Sequence, residues 1–326
     1  MTKITGILLC SLLLLVIFQI SSISVSSAST TSVNLTTSCP DNVSIYFLDV
    51  GQGDSILVKT SSKNILIDGG PTSAGTTLMN YLSAYQVSKI DLMVATHPHA
   101  DHIGGLNSVL QSNITVQDIT YNGYNYTSTQ TFNTWKTLAL THNLTQGIRN
   151  KVYAISPTIN FTVLSPTSPT QFGSSIDDIN YNSIVMRLQV GNVTVMLSGD
   201  AENISEQNIL SSGFNLDSDA LKVGHHGSNT STSQAFLNAV SPTYAVIFAG
   251  LNNTYGHPAQ QTLNILASNN VITHGTYRDG TIIFQLNPSA PPLPEIPPFA
   301  ILTIVLSVGF VIILTAKKNF DRKFTI

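Results

Sequence analysis

"THPHADHIGGL", residues 96–106, sets His97, His99, Asp101 and His102 within six positions of a chain that has eight histidines in 326 residues. It follows "IDLMVAT" (90–96), an apolar run of the buried-strand type, and leads into "GGLNSVLQ" (104–111), a predicted helix. In an extended segment, side chains two apart face the same side, so His97 and His99 can share one metal ion while Pro98 stiffens the loop between them. Asp101 and His102 come where the chain turns into the helix and face another way, which makes two neighbouring cations the natural solution. Four ligand-type residues beside buried strands would be costly to desolvate without metal. Gly104 and Gly105 let the backbone come close behind them.

Working outward, further polar clusters stand directly after apolar strands, where loops are held at a sheet edge. They are "VGQGDS" (50–55), "IDGG" (67–70), "SGD" (198–200), "VGHHGS" (223–228) and "YGHP" (255–258). Asp200, at the end of its strand, is the carboxylate best placed to bridge two ions; ions about 3.5 to 4 Å apart can generate hydroxide at neutral pH and clamp both oxygens of a displacement. His142 and His274 read as hydrogen-bonded structural residues.

Strands are predicted at "VSIYFLD" (43–49), "SILVK" (55–59) and "NILID" (64–68), followed by a helix in "GTTLMNYLSAY" (75–85). "SIVMRLQVGNVTVMLSGD" (183–200) reads as two strands around a Gly191-Asn192 hairpin turn. Helices and strands then alternate through "ENISEQNIL", "ALKVG", "SQAFLNAV", "YAVIF" and "AQQTLNILAS", with a closing hairpin around "RDG" (278–280). The pattern is a layered α/β domain, which we bound at residues 43–287 after a polar linker, 29–42.

The ends read differently. Residues 1–28 carry Lys3, the apolar run "ILLCSLLLLVIFQI" and a small, polar close, the layout of a secretory signal peptide. A proline-rich linker, 288–298, leads to an uncharged stretch, 299–316, about a membrane thickness of helix. The basic tail 317–326 that follows puts the C-terminus in the cytoplasm and the domain on the outer face of the membrane. Cys10 lies in the leader, so Cys39 alone leaves no intrachain disulfide in the mature chain. Ten N-x-S/T sequons add weak support for an exterior location. With 10% charged residues and a net charge of −3 there is no basic stripe, so a duplex-wrapping protein is not indicated, while a short catalytic groove for nucleic acid stays open.

H-x-H-x-D-H after a buried strand, with "LIDGG" upstream and "SGD" downstream, resembles the metallo-β-lactamase fold superfamily. More closely, "FLDVGQGDSILV", "THPHADHIGGL", "NSIVMRL", "LKVGHHGS" and "YGHP", in order between residues 43 and 286, resemble the C-terminal hydrolase domain of the ComEC competence proteins and their stand-alone relatives. The tail "PEIPPF", apolar helix, "KK" is similar to the PEF-CTERM sorting tails of archaeal surface proteins. The resemblance implies a four-layer αββα sandwich with metal at one edge of two facing sheets. It implies that Asp68 supports the metal loop, that His97 and His99 hold one ion, that Asp101, His102 and a final histidine hold the other, and that Asp200 bridges them. The expected third histidine of the first ion has only His142 as a candidate; the ComEC-like branch has N-x-S near this point, matched by Asn182 and Ser183 or their neighbours. For the final ligand we favour His225, with His226 behind it and His257 as ligand or proton donor. Asp54 either orients a ligand histidine or caps its own turn.

Two divalent ions are therefore expected, zinc first and manganese as the alternative. The expected activity is that of a cell-surface phosphodiesterase acting on a small phosphodiester or single-stranded nucleic acid, with Asp101 holding or deprotonating the water. A lactam, lactone or thioester hydrolase on the same site, or a non-enzymatic surface module, are the competing readings. The membrane is an expected partner through 299–316; no protein partner is evident.

Overall fold

The computed structural model describes residues 29–172 and 179–289. Ile65 and Ile67 belong to one buried layer and Leu66, between them, to another. A strand with both faces covered reads as a continuous apolar run, which is why these segments lack polar alternation.

Among the described residues there are fifteen strands. The first seven are β1 (Thr30–Thr37), β2 (Val43–Phe47), β3 (Ile56–Lys59), β4 (Asn64–Ile67), β5 (Lys89–Ala95), β6 (Thr115–Tyr121) and β7 (Asn143–Gln146). They are followed by β8 (Val152–Ser156), β9 (Ile159–Ser165), β10 (Val185–Val190), β11 (Val193–Leu197), β12 (Ala220–Lys222), β13 (Tyr244–Ile247), β14 (Ile272–Gly275) and β15 (Thr281–Pro288). One sheet has the order β1-β15-β2-β3-β4-β5-β6-β7 and the other β14-β13-β12-β11-β10-β9-β8.

Each sheet passes from an antiparallel part to a parallel run, and the first carries one further parallel pair, β1 with β15, at its other edge. In the first, β4 to β7 are parallel and connected through α1 (Gly75–Ala84), α2 (Ala100–Leu110) and α3 (Gln130–Ala139). In the second, β11 to β14 are parallel and connected through α4 (Asn203–Leu210), α5 (Gln234–Val240) and α6 (Gln260–Ser268). Ile45, Phe47, Val58, Val94, Phe161, Leu188, Val195 and Phe284 form the layer between the sheets. Leu57, Met93, Leu106 and Trp135 fill the space under the first helices, and Met196, Leu221, Phe236 and Leu266 the space under the second set. The architecture is the expected αββα sandwich, with the loops at the carboxyl ends of β4, β5, β11, β12 and β13 gathered at one edge, the usual place for a site in such sheets.

Two boundaries differ from expectation. Residues 30–37, read as linker, form β1, which pairs in parallel with β15 from Thr30↔Thr281 to Thr37↔Pro288. The polar Thr/Ser sequence hid it, because an edge strand buries only every fourth residue or so: Val33 and Thr37 here. The "RDG" segment is not a hairpin, because β14 and β15 belong to different sheets; a single helical turn, α7 (Thr276–Asp279), carries the chain across. The expected leader, the apolar stretch 299–316 and the basic tail lie outside the described residues; among those described, no helix is long and apolar enough to cross a membrane.

Candidate metal centre

The H-x-H-x-D-H stretch begins as extended backbone and ends inside α2: His99 is the residue before the helix, and Asp101 lies in its first turn, where a carboxylate complements the helix dipole. The loop after β4 packs directly against this turn. Gly69 N donates to His102 O at 2.7 Å and Gly105 N donates to Gly70 O at 2.9 Å. A Cβ on Gly105 would stand 2.0 Å from Gly69 O, so the contact exists only because residue 105 has no side chain. This proximity brings Asp68 to the imidazole of His102. Its Oδ2 is 2.8 Å from His102 Nδ1, while its oxygens also accept from Thr96 N at 2.8 Å and Thr96 Oγ1 at 2.7 Å.

With Nδ1 engaged, His102 Nε2 faces inward, 3.2 Å from Asp200 Oδ2. Around the same oxygen stand His226 Nε2 at 3.3 Å, His97 Nε2 at 3.9 Å and His225 Nε2 at 4.0 Å. His226 Nε2 is also 3.1 Å from Asp101 Oδ2, and His97 Nε2 is 3.0 Å from His99 Nδ1. Two ligands held at about 2.1 Å by a tetrahedral ion stand about 3.4 Å apart, so these spacings suit donors on shared ions. Asp54, His102, Asp200 and His226 each offer a ligand atom within 4.8 Å of the others, and all four are buried. His102 Nε2 is buried and makes no well-formed hydrogen bond, although Asp200 Oδ2 stands 3.2 Å away, a debt that a cation discharges. The donor set of imidazoles and carboxylates fits a divalent transition metal.

The electrostatics point the same way. Burial drives the His97 imidazole well below its ordinary pKa, and the neighbouring His102 and His99 lower it further. For His102 and His226 burial also opposes charge, but Asp200 and the carboxylates around it outweigh burial and hold both well above the ordinary range. Burial likewise opposes ionisation of Asp200, and His102 and His226 overcome it, holding the carboxyl well below its usual range. The cluster therefore attracts positive charge.

The second half of the chain supplies its members from three loops. Asp200 follows β11, and its backbone N–H donates to Ser183 Oγ at 3.3 Å. His225 and His226 follow β12 in consecutive left-handed conformations, φ 45° and 54°, an arrangement costing on the order of 1–3 kcal/mol per residue that marks functional turns. This turn reverses the expected order of the tandem pair. His226 is the buried imidazole within the cluster, whereas His225 is 24% exposed at the rim, with Nδ1 3.1 Å from Glu202 Oε1 and Nε2 3.3 Å from Asn180 Nδ2. A two-residue motif read without its dihedrals cannot show which ring turns inward.

Asp54 stands behind the imidazoles, with Oδ1 3.3 Å from His226 Nδ1, and serves as their neighbour more than as a cap of its own turn. Its Oδ2 pairs with Lys222, a fully buried lysine that sequence alone shows only as one residue of the apolar strand "ALKVG". Glu202 carries no motif signal in the sequence, and Asn180 is among the neighbours of Asn182 and Ser183 that "N-x-S" points to. Asn182 Oδ1 accepts from Phe172 N at 3.2 Å and its carbonyl accepts from Asn122 Nδ2 at 2.9 Å, a strapping role. His142 bonds to Val116 O at 3.0 Å, far along the first sheet, and His274 Nδ1 is 3.7 Å from Asp279 Oδ2. His257 lines the mouth, its ring centroid 5.5 Å from that of His225 and 6.4 Å from that of His226, with a buried Nδ1 that has no partner.

Comparison with known proteins agrees with this architecture. Competence protein ComA of Neisseria gonorrhoeae is 31% identical over 254 residues, 76% of this chain and 33% of the relative. ComE operon protein 3 of Bacillus subtilis (strain 168) is 29% identical over 269 residues, 74% of this chain and 33% of the relative. Recombination protein 2 of Haemophilus influenzae is 31% identical over 216 residues, 65% and 25% respectively. The chain thus spans a third or less of these relatives. Among solved structures, a mutant of CmlA beta-hydroxylase superposes with a TM-score of 0.50 at 11% identity, over 75% of this chain and 54% of that one, a likeness of fold. YhfI from Bacillus subtilis gives a TM-score of 0.49 at 13% identity, over 75% and 99%. The family described as the metallo-beta-lactamase superfamily matches residues 48–250, a span that contains every residue of the Asp200-centred cluster, and the chain belongs to that superfamily.

Proposed function

We propose that the protein is a metal-dependent phosphodiesterase with single-stranded nucleic acid as its polymeric substrate. The observation that carries the metal-dependent part is the position of Asp200 Oδ2, within 4.0 Å of four imidazole nitrogens in a buried cluster. His97 and His99 would hold one divalent ion, and Asp101, His102 and His226 a second, with Asp200 between them; zinc is the first choice of metal and manganese the second. Support for the phosphodiester comes from likeness to competence and recombination proteins, each of which this chain matches over only part of its length.

When bound, the ions supply Lewis acidity to the substrate oxygen and to an attacking water. The chain's own groups manage the protons. Asp101 is the cluster carboxylate most open to solvent, at 35% side-chain exposure, and would hold the attacking water by accepting a hydrogen bond from it. His257, at the mouth with its Nδ1 unpartnered, stands where its ring would hydrogen-bond the leaving oxygen; Glu202 and Asn180 hold His225 at the rim, where it faces the incoming phosphate. The reading also places the domain outside the cell, tethered through 299–316, on the support of the apolar composition of both ends.

The test is a metal-reconstituted chain assayed on bis-p-nitrophenyl phosphate, single-stranded DNA and nitrocefin, with His97→Ala/His99→Ala as control. Hydrolysis of the first two, absent in the control, is expected. Turnover of nitrocefin alone would move the assignment to a carbonyl substrate.

A further inference from the structure

Lys222 is fully buried at the end of β12, and the metal reading does not use it. Its ammonium donates to Gly199 O at 2.6 Å, pairs with Asp54 Oδ2 and lies 3.5 Å from Asp200 Oδ1. Both carboxylates are thereby divided. Asp200 turns Oδ1 to the lysine and Oδ2 to the imidazoles; Asp54 turns Oδ2 to the lysine and Oδ1 to His226 Nδ1. Asp54 nevertheless offers an oxygen within 4.8 Å of potential ligand atoms of His102, Asp200 and His226, on the Nδ1 side of the two imidazoles, so its carboxylate must be kept occupied there if Asp200 is to be the one a cation takes.

We infer that Lys222 is a positioning residue that acts as a resident internal cation: it holds Asp54 out of the metal shell and presents Asp200 to the metals through one oxygen. The inference rests on the metal reading above. Its physical basis is that a buried carboxylate seeks a counter-charge, and an ammonium pinned by a backbone carbonyl pairs with one oxygen of Asp54 and faces one oxygen of Asp200 without filling the space where the imidazoles converge. The carbonyl matters. Gly199 O belongs to the residue before Asp200, so the lysine grips the loop that carries the bridging candidate and that carboxylate together.

A specific ordering of metal affinities follows. In Asp54→Asn the ammonium loses its main carboxylate and retains Asp200 alone, so it competes with metal for Asp200. Removing the ammonium as well, in Asp54→Asn/Lys222→Met, ends that competition; exchange of a buried pair for neutral residues of similar volume is often tolerated by a fold. Titration calorimetry of the metal-free full chain with Zn2+ is expected to show Asp54→Asn weakened at least tenfold and the double variant at least threefold tighter than Asp54→Asn but still weaker than wild type, because the grip on Gly199 and Asp200 is gone; a tenfold change corresponds to about 1.4 kcal/mol. A purely structural role would make the double variant weaker than the single one.

A measurement on the unaltered chain guards against misfolded variants. With 15N-lysine labelling, an ammonium resonance absent from the double variant is expected to shift on addition of Zn2+. Wild type that binds Zn2+, together with a double variant no tighter than Asp54→Asn or an unmoved ammonium signal, overturns this inference and leaves the metal reading standing. Wild type that binds no divalent ion overturns both.

Discussion

The imidazole of His102 turns Nδ1 to Asp68 Oδ2 at 2.8 Å, which leaves Nε2 as the nitrogen that faces Asp200. Asp68 in turn is fixed by two bonds from Thr96, one to each oxygen, and sits in a left-handed conformation at φ 57°. Partners of this kind set tautomer and ring orientation. Asp68→Ala is expected to lower Zn2+ affinity by roughly 10- to 100-fold in calorimetry. An affinity equal to wild type would mean that the carboxylate does not orient the ring.

The tandem histidines separate by stoichiometry. His226 Nε2 is 3.1 Å from Asp101 and 3.3 Å from Asp200, whereas His225 is held outward by Glu202. Metal analysis of dialysed protein is expected to give about one equivalent less in His226→Ala than in wild type, while His225→Ala keeps the full complement, as a three-residue protein ligand set predicts. The opposite result would restore the assignment favoured from the motif.

Gly105 couples the fold to the site. A methyl group at this position meets Gly69 O at 2.0 Å, so Gly105→Ala must part α2 from the loop that carries Asp68. Overpacking of this kind costs about 1–3 kcal/mol. Denaturant unfolding should show that loss, accompanied by weaker Zn2+ binding because His102 and Asp68 ride on the two separated segments. Unchanged metal affinity in a destabilised variant would uncouple them.

Metal removal tests the cluster as a whole. Ligands that bind only the folded state raise its stability, by about 2.7 kcal/mol at a hundredfold excess over Kd. The thermal midpoint is expected to fall on treatment with chelator and to return with Zn2+. A midpoint indifferent to chelator in a protein that binds no ion would remove the basis of the proposed activity.

Glu206 offers a control outside the cluster. Its carboxylate accepts from Thr232 N and, at 2.9 Å, from Ser233 N, so it secures the loop that follows the tandem histidines. Glu206→Ala leaves one buried and one part-buried backbone donor unpaired and should cost about 1–3 kcal/mol in unfolding free energy. Restoration of stability by glutamine, which keeps one acceptor, should be partial.

Sequence alone determined what depends on local spacing. The apolar runs are strands because both of their faces are buried, and the i, i+2 relation of His97 and His99 already places two rings on one side of an extended segment. Asp200 was legible for a similar reason, as a carboxylate at the end of a buried strand. Other features depend on contacts between distant segments or on single dihedral angles, and only the tertiary structure decided those. β1 is a strand because β15, some 250 residues on, offers it an edge. Lys222 is buried because Asp54 and Gly199 meet its ammonium from two other loops. His226 rather than His225 turns inward because both residues adopt a left-handed turn, and no pattern of residue types records the sign of φ.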